Sequence, residues 1–509
     1  MGLLEGYFRS VMVGLVLYLL LRLILSCWIL PILVYCKIRK NGFGGPTPRF
    51  PLGNVREMKV DTKIINNVAS SSLAISHNIH PIVFPYFARW QKSYGKVFVY
   101  WLGKEPFLYI AEPEFLKKMS SRVHANKWGK PNVFKHDRKP MFGSGLVMVE
   151  GDDWVRHRHV INPAFSPPTL KVNCYGAASL ILEPATKMLE RWTTLINSGK
   201  LEMDVEKEIS SMTGEIIARA TFGLRNEKGS EVFEKLRAMQ FTLFNSNRYV
   251  GVPFSHWICP KKNLEAKKLG KEIDQLLWSI IKDWDGSHHR SLVGYLMEGE
   301  KLSAREIVDE CKTFFFGAHE TTTMALTWTL LLLAIYPQWQ IQLREEIRQV
   351  IGDGEDIAFT TLSRLTKMGW VMNEVLRRYS SAPNAQRQAR EDIKVDDLLI
   401  PNGTNMWIDI VSMHHDPTIW GDEANEFRPE RFKDDHLYGG CKHKMGFLPF
   451  GFGGRMCIGK NFAIMEYKVV LILMITRFSF SLSPTYRHSP FIFISLRPRY
   501  GLPLIVQPL

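Results

Sequence analysis

The chain has 509 residues, 46% of them hydrophobic and 12% aromatic, which is enough for a large buried core and rules out a disordered or collagen-like chain. Its 65 Lys and Arg against 50 Asp and Glu give a formal charge of +15. That balance suits anionic partners, but the basic residues are dispersed and no zinc-finger spacing occurs, so no nucleic-acid partner is expected.

Along the chain, the first feature is an apolar run from Val11 to Cys36, interrupted by Arg22. It exceeds the roughly 20 residues that cross a bilayer. A cleaved signal peptide would be shorter and end at a small-residue site, whereas this run continues through Pro31 and Tyr35. Lys37, Arg39 and Lys40 follow at once, placing the bulk of the chain on the cytosolic side. Residues 1–40 are therefore expected to be a single-pass membrane anchor. Residues 41–58, with Pro46, Pro48 and Pro51, form a stiff hinge, and 59–509 form one domain. The seven cysteines make no C-x-x-C pair, as in a reducing compartment.

Beyond residue 60 the pattern is mainly helical with a small β region. Val97–Trp101 and Phe107–Ile110 read as paired strands. Leu180–Asn197, Met203–Phe222, Leu302–Tyr336, Leu362–Tyr379 and Asn461–Phe480 carry helical apolar spacing, the third stopping at Pro337. Ile393–Val411 reads as strands joined at Pro401-Asn402-Gly403. No alternating strand–helix–strand pattern appears.

The segment 449–463, PFGFGGRMCIGKNFA, carries the chemistry. Gly454 to Asn461 nearly matches a phosphate loop, but that loop needs a Ser or Thr hydroxyl after its lysine, and Asn461 stands there. A dinucleotide fingerprint from Gly451 fails at Met456. A sulfur-presenting loop explains more. Glycines on both sides of Cys457 leave room for a broad, flat object. A helix starting just after it aims amide dipoles at the sulfur and favours thiolate, and Arg455 reaches an anion on the same object. That combination describes haem held by cysteine; the plain alternative is a buried structural cysteine.

Phe450-x-x-Gly453-x-Arg455-x-Cys457-x-Gly459 resembles the haem-binding loop of the cytochrome P-450 superfamily, and further marks follow in the expected order. Glu374-Val-Leu-Arg377 resembles the family's E-x-x-R helix, and Arg431 in Phe427-Arg-Pro-Glu-Arg-Phe resembles the arginine completing that structural ion-pair network. Trp154-x-x-x-Arg158 resembles the helix that contacts a haem propionate, its two donors sharing one face at i, i+4. Arg387 and Arg455 fall where the family places further propionate-binding arginines. Phe316-Gly317-Ala318-His319-Glu320-Thr321-Thr322 resembles the oxygen-activation motif, which implies proton delivery by Glu320 and Thr321. Two departures stand out: Ala318 replaces the motif glycine, and Tyr379-Ser380-Ser381 stands where the family often has prolines. Phe316, Gly317, Ala318 and Ala382 are expected to line the substrate pocket. His157/His159, His288/His289 and His414/His415 lack a suitably spaced third ligand for a metal ion.

In CKTFFFGAHETT, HHDPTIWGDEANEFRPERF and FSLSPTYRHSP the chain is similar to the plant clan of cytokinin hydroxylases, gibberellin oxidases and brassinosteroid- or triterpenoid-modifying enzymes. The resemblance implies the P-450 fold, haem b, and O2 with NADPH electrons from a membrane-bound flavin reductase. It also implies the endoplasmic-reticulum membrane, a cytosolic catalytic domain and hydroxylation of a small lipophilic metabolite. Two rival classes are a haem–thiolate isomerase or dehydratase, whose members usually lose the acid–threonine pair present here, and a non-catalytic haem sensor.

Overall fold

The computed structural model describes residues 2–69, 75–121, 127–166, 174–223, 227–244, 250, 252–253, 260–283, 291–298, 301–352 and 359–509. His288 and His289 lie outside them.

The chain opens with helix α1 (Gly2–Ile24), one π turn at Leu25–Ile29, and helix α2 (Leu30–Lys40). Pro31 cannot donate to the carbonyl one turn earlier, and the widened turn immediately before it accommodates that defect without ending the helix. The stretch Glu5–Lys40 spans 36 residues, is apolar enough to cross a membrane and is almost wholly exposed. Its C-terminal part touches the rest of the protein: Cys27, Pro31 and Ile38 are buried, the Trp28 ring lies 6.2 Å from that of Phe50, and Asn41 Nδ2 donates to Leu399 O at 3.4 Å. The expected hinge is not a free linker. Phe43 is buried, Val99 N donates to Gly44 O at 2.9 Å, and Asn54 Oδ1 accepts from Trp101 N at 2.9 Å.

The β region is a five-stranded sheet of β1 (Val97–Leu102), β2 (Glu105–Ile110), β3 (Trp128–Gly129), β4 (Asn384–Ala389) and β5 (Asn405–Asp409), in the order β1-β2-β5-β4-β3. The expected β1–β2 hairpin is present, with Val97 opposite Ile110. Gly103 takes φ +60° at its two-residue turn, a conformation that favours glycine. The β2–β5 pair is parallel and joins segments about 300 residues apart.

Helices make up most of the remainder. Those that build the site are α3 (Gly151–Ile161), α4 (Val205–Phe222), α5 (Ala304–Ile335), α6 (Thr366–Arg378) and α7 (Lys460–Arg477). In α5, Ser303 and Glu306 form a reciprocal cap at the start, and Pro337 bars continuation past Tyr336. This helix is buried over most of its length despite six threonines. Thr323, Thr327 and Thr329 each donate to the carbonyl four residues earlier, at 2.8, 2.8 and 2.7 Å, so their hydroxyls are satisfied inside the core.

Three expectations change. Met203 belongs to a strand, Glu202–Asp204, paired with Pro503–Ile505. Leu362–Tyr379 is two helices, Phe359–Leu362 and α6. Asn461–Phe480 is helical only to Arg477, after which Phe478–Leu482 pairs with Leu504–Pro508.

Candidate active site

The middle of α5, the loop before α7 and the segment after α6 enclose a cavity of about 410 Å³. Cys457 lies on its wall and is open to it. The loop is shaped by Gly451 and Gly453, at φ +75° and +63°, and closed by Cys457 N donating to Phe450 O at 2.8 Å. Helix α7 starts at Lys460 with Gly459 as its cap residue. The cavity walls desolvate the thiol and push its pKa up, against the Gly459 backbone hydrogen bond and the charges of Arg158 and Lys460. Lys460 stands 5.7 Å over the Phe450 ring.

Cations gather on the same cavity. Trp154, Arg158, Arg387 and Arg455 all line it, as does Lys130, which the sequence reading missed. Arg158 donates to Met456 O at 2.9 Å, and Arg455 lies 4.7 Å over the Trp154 ring and donates to Val149 O at 3.2 Å. Burial pulls Arg387 down to about 10, and burial aided by Arg387 does the same to Arg455. Burial, then the charges of Arg387, Arg138 and Arg455, pulls Lys130 well below the usual lysine range. Cations crowded at one cavity in this way are stabilised by an anion placed among them. The two carboxylates of a haem would meet that need, and Cys457 could supply a sulfur ligand to its iron. The residues present therefore fit the group. No local signal marks Lys130. It is positioned by the two-residue strand β3, whose Gly129 pairs with Gln388 beside Arg387.

From α5, Thr313, Phe314, Gly317, Ala318, Thr321, Thr322 and Ala325 face the cavity, a stripe at helical spacing. Thr321 Oγ1 donates to Gly317 O at 2.8 Å. Ala382 also lines the cavity. Phe316 and Glu320 do not; both lie beyond the Thr313 edge of that stripe. Phe316 packs edge-on against Phe142 at 4.7 Å. Glu320 accepts from Ser495 Oγ at 2.5 Å and lies 3.5 Å from Arg497, on strand β6 (Leu496–Pro498). Arg497 also pairs with Glu206 of α4.

Behind the cavity, Glu374 and Arg377 are fully buried and joined twice, at 2.7 and 2.8 Å. Arg377 also donates to the carbonyls of His414, Ala424 and Glu426 at 2.7, 2.8 and 3.3 Å. Arg431 approaches Glu374 at 3.6 Å, and Arg428 N donates to it at 3.0 Å. His414 links this network to the cysteine loop. Leu448 N donates to its Nε2 at 2.9 Å, so Nδ1 carries the proton and points to Ser380 Oγ at 2.8 Å. Burial pulls its pKa down to about 3, keeping it neutral. Among the described residues, no group of three or more His, Cys, Asp or Glu could hold a metal ion.

A family model described as cytochrome P-450 matches residues 71–500. Among curated proteins the chain is 38% identical over 486 residues to a cytokinin hydroxylase of Arabidopsis thaliana, covering 93% of this chain and 92% of that one. It is 36% identical over 503 residues to a second Arabidopsis thaliana cytokinin hydroxylase, covering 95% of each.

Proposed function

Because the chain belongs to the cytochrome P-450 family and so is a haem-dependent monooxygenase, we propose that it hydroxylates a small lipophilic, isoprenoid-derived plant metabolite of the cytokinin, gibberellin, terpenoid or steroid type. In this reading the apolar N-terminal helix anchors it in the endoplasmic-reticulum membrane with the catalytic domain in the cytosol. Electrons come from NADPH through a flavin reductase. The observation that carries the reading is that Cys457, the half-buried cations and Thr321 all line one cavity whose α5 wall also presents Phe314, Ala318 and Ala325.

Bound through Cys457, haem supplies the oxygen-activating chemistry. Arg158, Arg387, Arg455 and Lys130 would hold its carboxylates, and Trp154, 4.7 Å from the Arg455 guanidinium, would support it. Phe314, Ala318 and Ala382 present apolar surface to the substrate, which excludes water and orients a C–H bond. Thr321 presents a hydroxyl to the cavity while its own proton rests on Gly317 O. Glu374, Arg377 and Arg431 hold the segment that carries Ala382 and Arg387 against the cysteine loop.

Similarity to the cytokinin hydroxylases supports the isoprenoid assignment. Co-expression with a plant reductase, followed by product analysis on cytokinins, gibberellins, sterols and triterpenes, tests it. A hydroxylated product from one class is expected. A fully loaded enzyme that oxidises none of the four classes would overturn the assignment.

A further inference from the structure

The segment after α6 carries uncharged polar side chains at Ser380, Ser381, Asn384, Gln386 and Gln388. The fold uses three of them. Ser380 Oγ donates to Leu376 O at 2.8 Å and accepts from His414 Nδ1 at 2.8 Å. Gln386 Oε1 accepts from Arg138 at 2.9 Å, and Gln388 Nε2 donates to Gly403 O and Asn405 Oδ1 at 2.9 and 3.0 Å. None of these three lines the cavity, whereas Ser381 and Asn384 both do. The Ser381 hydroxyl is buried without a hydrogen-bond partner. Among the described residues the Asn384 amide makes no hydrogen bond either. The backbone between them is fixed from behind, where Pro383 O accepts from Ile410 N and Val411 N at 3.2 Å each and Asn384 pairs with Asp409.

Polar groups left without a partner in a wall are costly until a ligand answers them. The Thr313 hydroxyl is also unpartnered, but it is pressed against Gly145, where even a Cβ would collide with it. The other wall residues from α6 and this segment, Met372, Leu376, Ala382 and Ala385, are apolar, Arg387 apart. A primary amide presents a donor and an acceptor side by side, and a hydroxyl serves as either. That combination matches an N–H beside a ring nitrogen, the edge by which asparagine holds adenine at two points. A hydroxylated hydrocarbon skeleton offers one point only. A carboxylate would call for a cation, and neither residue is charged.

We propose that Asn384 and Ser381 determine specificity by holding the hydrogen-bonding edge of a planar nitrogen heterocycle that carries an apolar side chain. The substrate is then of the cytokinin type and not a gibberellin, sterol or triterpene. The apolar side chain is left to the α5 wall, where Phe314, Ala318 and Thr321 stand. This inference rests on the proposed function and narrows it.

Substrate-binding difference spectra of the haem-loaded full chain test it without turnover. The probes are isopentenyladenine and N-isopentenylaniline, which lacks the ring nitrogens. Wild type should bind the adenine about tenfold more tightly or better. Asn384→Leu and Ser381→Ala should each weaken the adenine about tenfold and leave the aniline unchanged. The proposal is overturned if either variant binds the adenine as wild type does, if both probes weaken equally, or if wild type does not prefer the adenine. Should Asn384→Leu fail to load haem, Ser381→Ala and the wild-type preference decide. A loaded wild type that prefers the adenine but oxidises nothing would count against the monooxygenase reading alone.

Discussion

Arg377→Lys keeps the charge that faces Glu374 but not the shape that satisfies its surroundings. Arg377 has five N–H donors, and the structure uses them on five acceptor contacts: both oxygens of Glu374 and the carbonyls of His414, Ala424 and Glu426. A lysine ammonium offers three hydrogens from one point. At least two buried acceptors lose their partner, at about 1–3 kcal/mol each, for a total of about 2–6 kcal/mol. That is a large part of the roughly 5–15 kcal/mol that holds a domain folded. At roughly 1–2 °C per kcal/mol for a chain of this length, Tm should fall by about 2–12 °C. The assay is Tm at a fixed scan rate, since unfolding of a protein this large is expected to be irreversible. It is read beside the fraction of protein that loads haem. Arg377→Met should cost about 3–5 kcal/mol, because it strands the Glu374 carboxylate, and adding Glu374→Gln should recover part of that loss. An Arg377→Lys protein melting within about 1 °C of wild type, with normal loading, would refute the claim that the guanidinium is fully used.

Cys457→Ala should abolish the thiolate-type spectrum of the reduced carbonyl adduct; persistence of that spectrum would remove Cys457 as axial ligand. Thr321→Val removes the hydroxyl over Gly317 O at nearly constant volume and should cut product formed per NADPH by about 10–100-fold, whereas Thr321→Ser should retain most of it; equal coupling in all three proteins would exclude a role for the hydroxyl. His157 faces Glu310 at 2.6 Å and Glu306 at 3.3 Å, with Arg156 alongside. Burial opposes the charged imidazole, but the Glu310 and Glu306 contacts prevail and its pKa is raised, while burial raises that of Glu310. Both groups hold a proton more tightly folded than unfolded. The histidine's stabilisation is therefore complete below its unfolded value, near 6.5, and is lost as pH rises through its folded one, while that of Glu310 starts to fall at a lower pH, above the unfolded glutamate value near 4.3. Tm should decline across that window, and His157→Asn should start lower and decline less; an unchanged slope would show that the pair does not titrate there.

What was legible in the chain was whatever is encoded locally. The cysteine loop needs its glycines and arginine within ten residues, and Glu374 and Arg377 meet across one helical turn. The β1–β2 hairpin is likewise set by neighbouring residues. What escaped depends on distant segments. The break before α6 is made by Glu346 of the helix Pro337–Ile351, which accepts from Thr366 Oγ1, Lys367 N and Met368 N at 3.1, 2.6 and 2.9 Å. No pattern within 362–379 announces a cap borrowed from some 20 residues away. Strand pairing with the C-terminal segment likewise took Met203 and Phe478 out of their helices. The direction of Glu320 is decided by Ser495 and Arg497, and the placing of Lys130 by a pairing with Gln388. In each case the type of residue was visible, but the partner that orients it was not.

The N-terminal helix is longer than an anchor needs to be. At about 1.5 Å per residue, its 36 apolar-rich residues extend about 54 Å, whereas a bilayer core takes up about 30 Å. The surplus turns end in Lys37, Arg39 and Lys40 and are fastened to the domain by Ile38, Phe43 and Asn41. They act as a strut and not as a tether. A soluble form of this protein should therefore be cut within the exposed first part of the helix, ahead of Cys27, which is buried. A cut after Lys40 would strip Ile38 from the core and leave the catalytic domain with a raw apolar face.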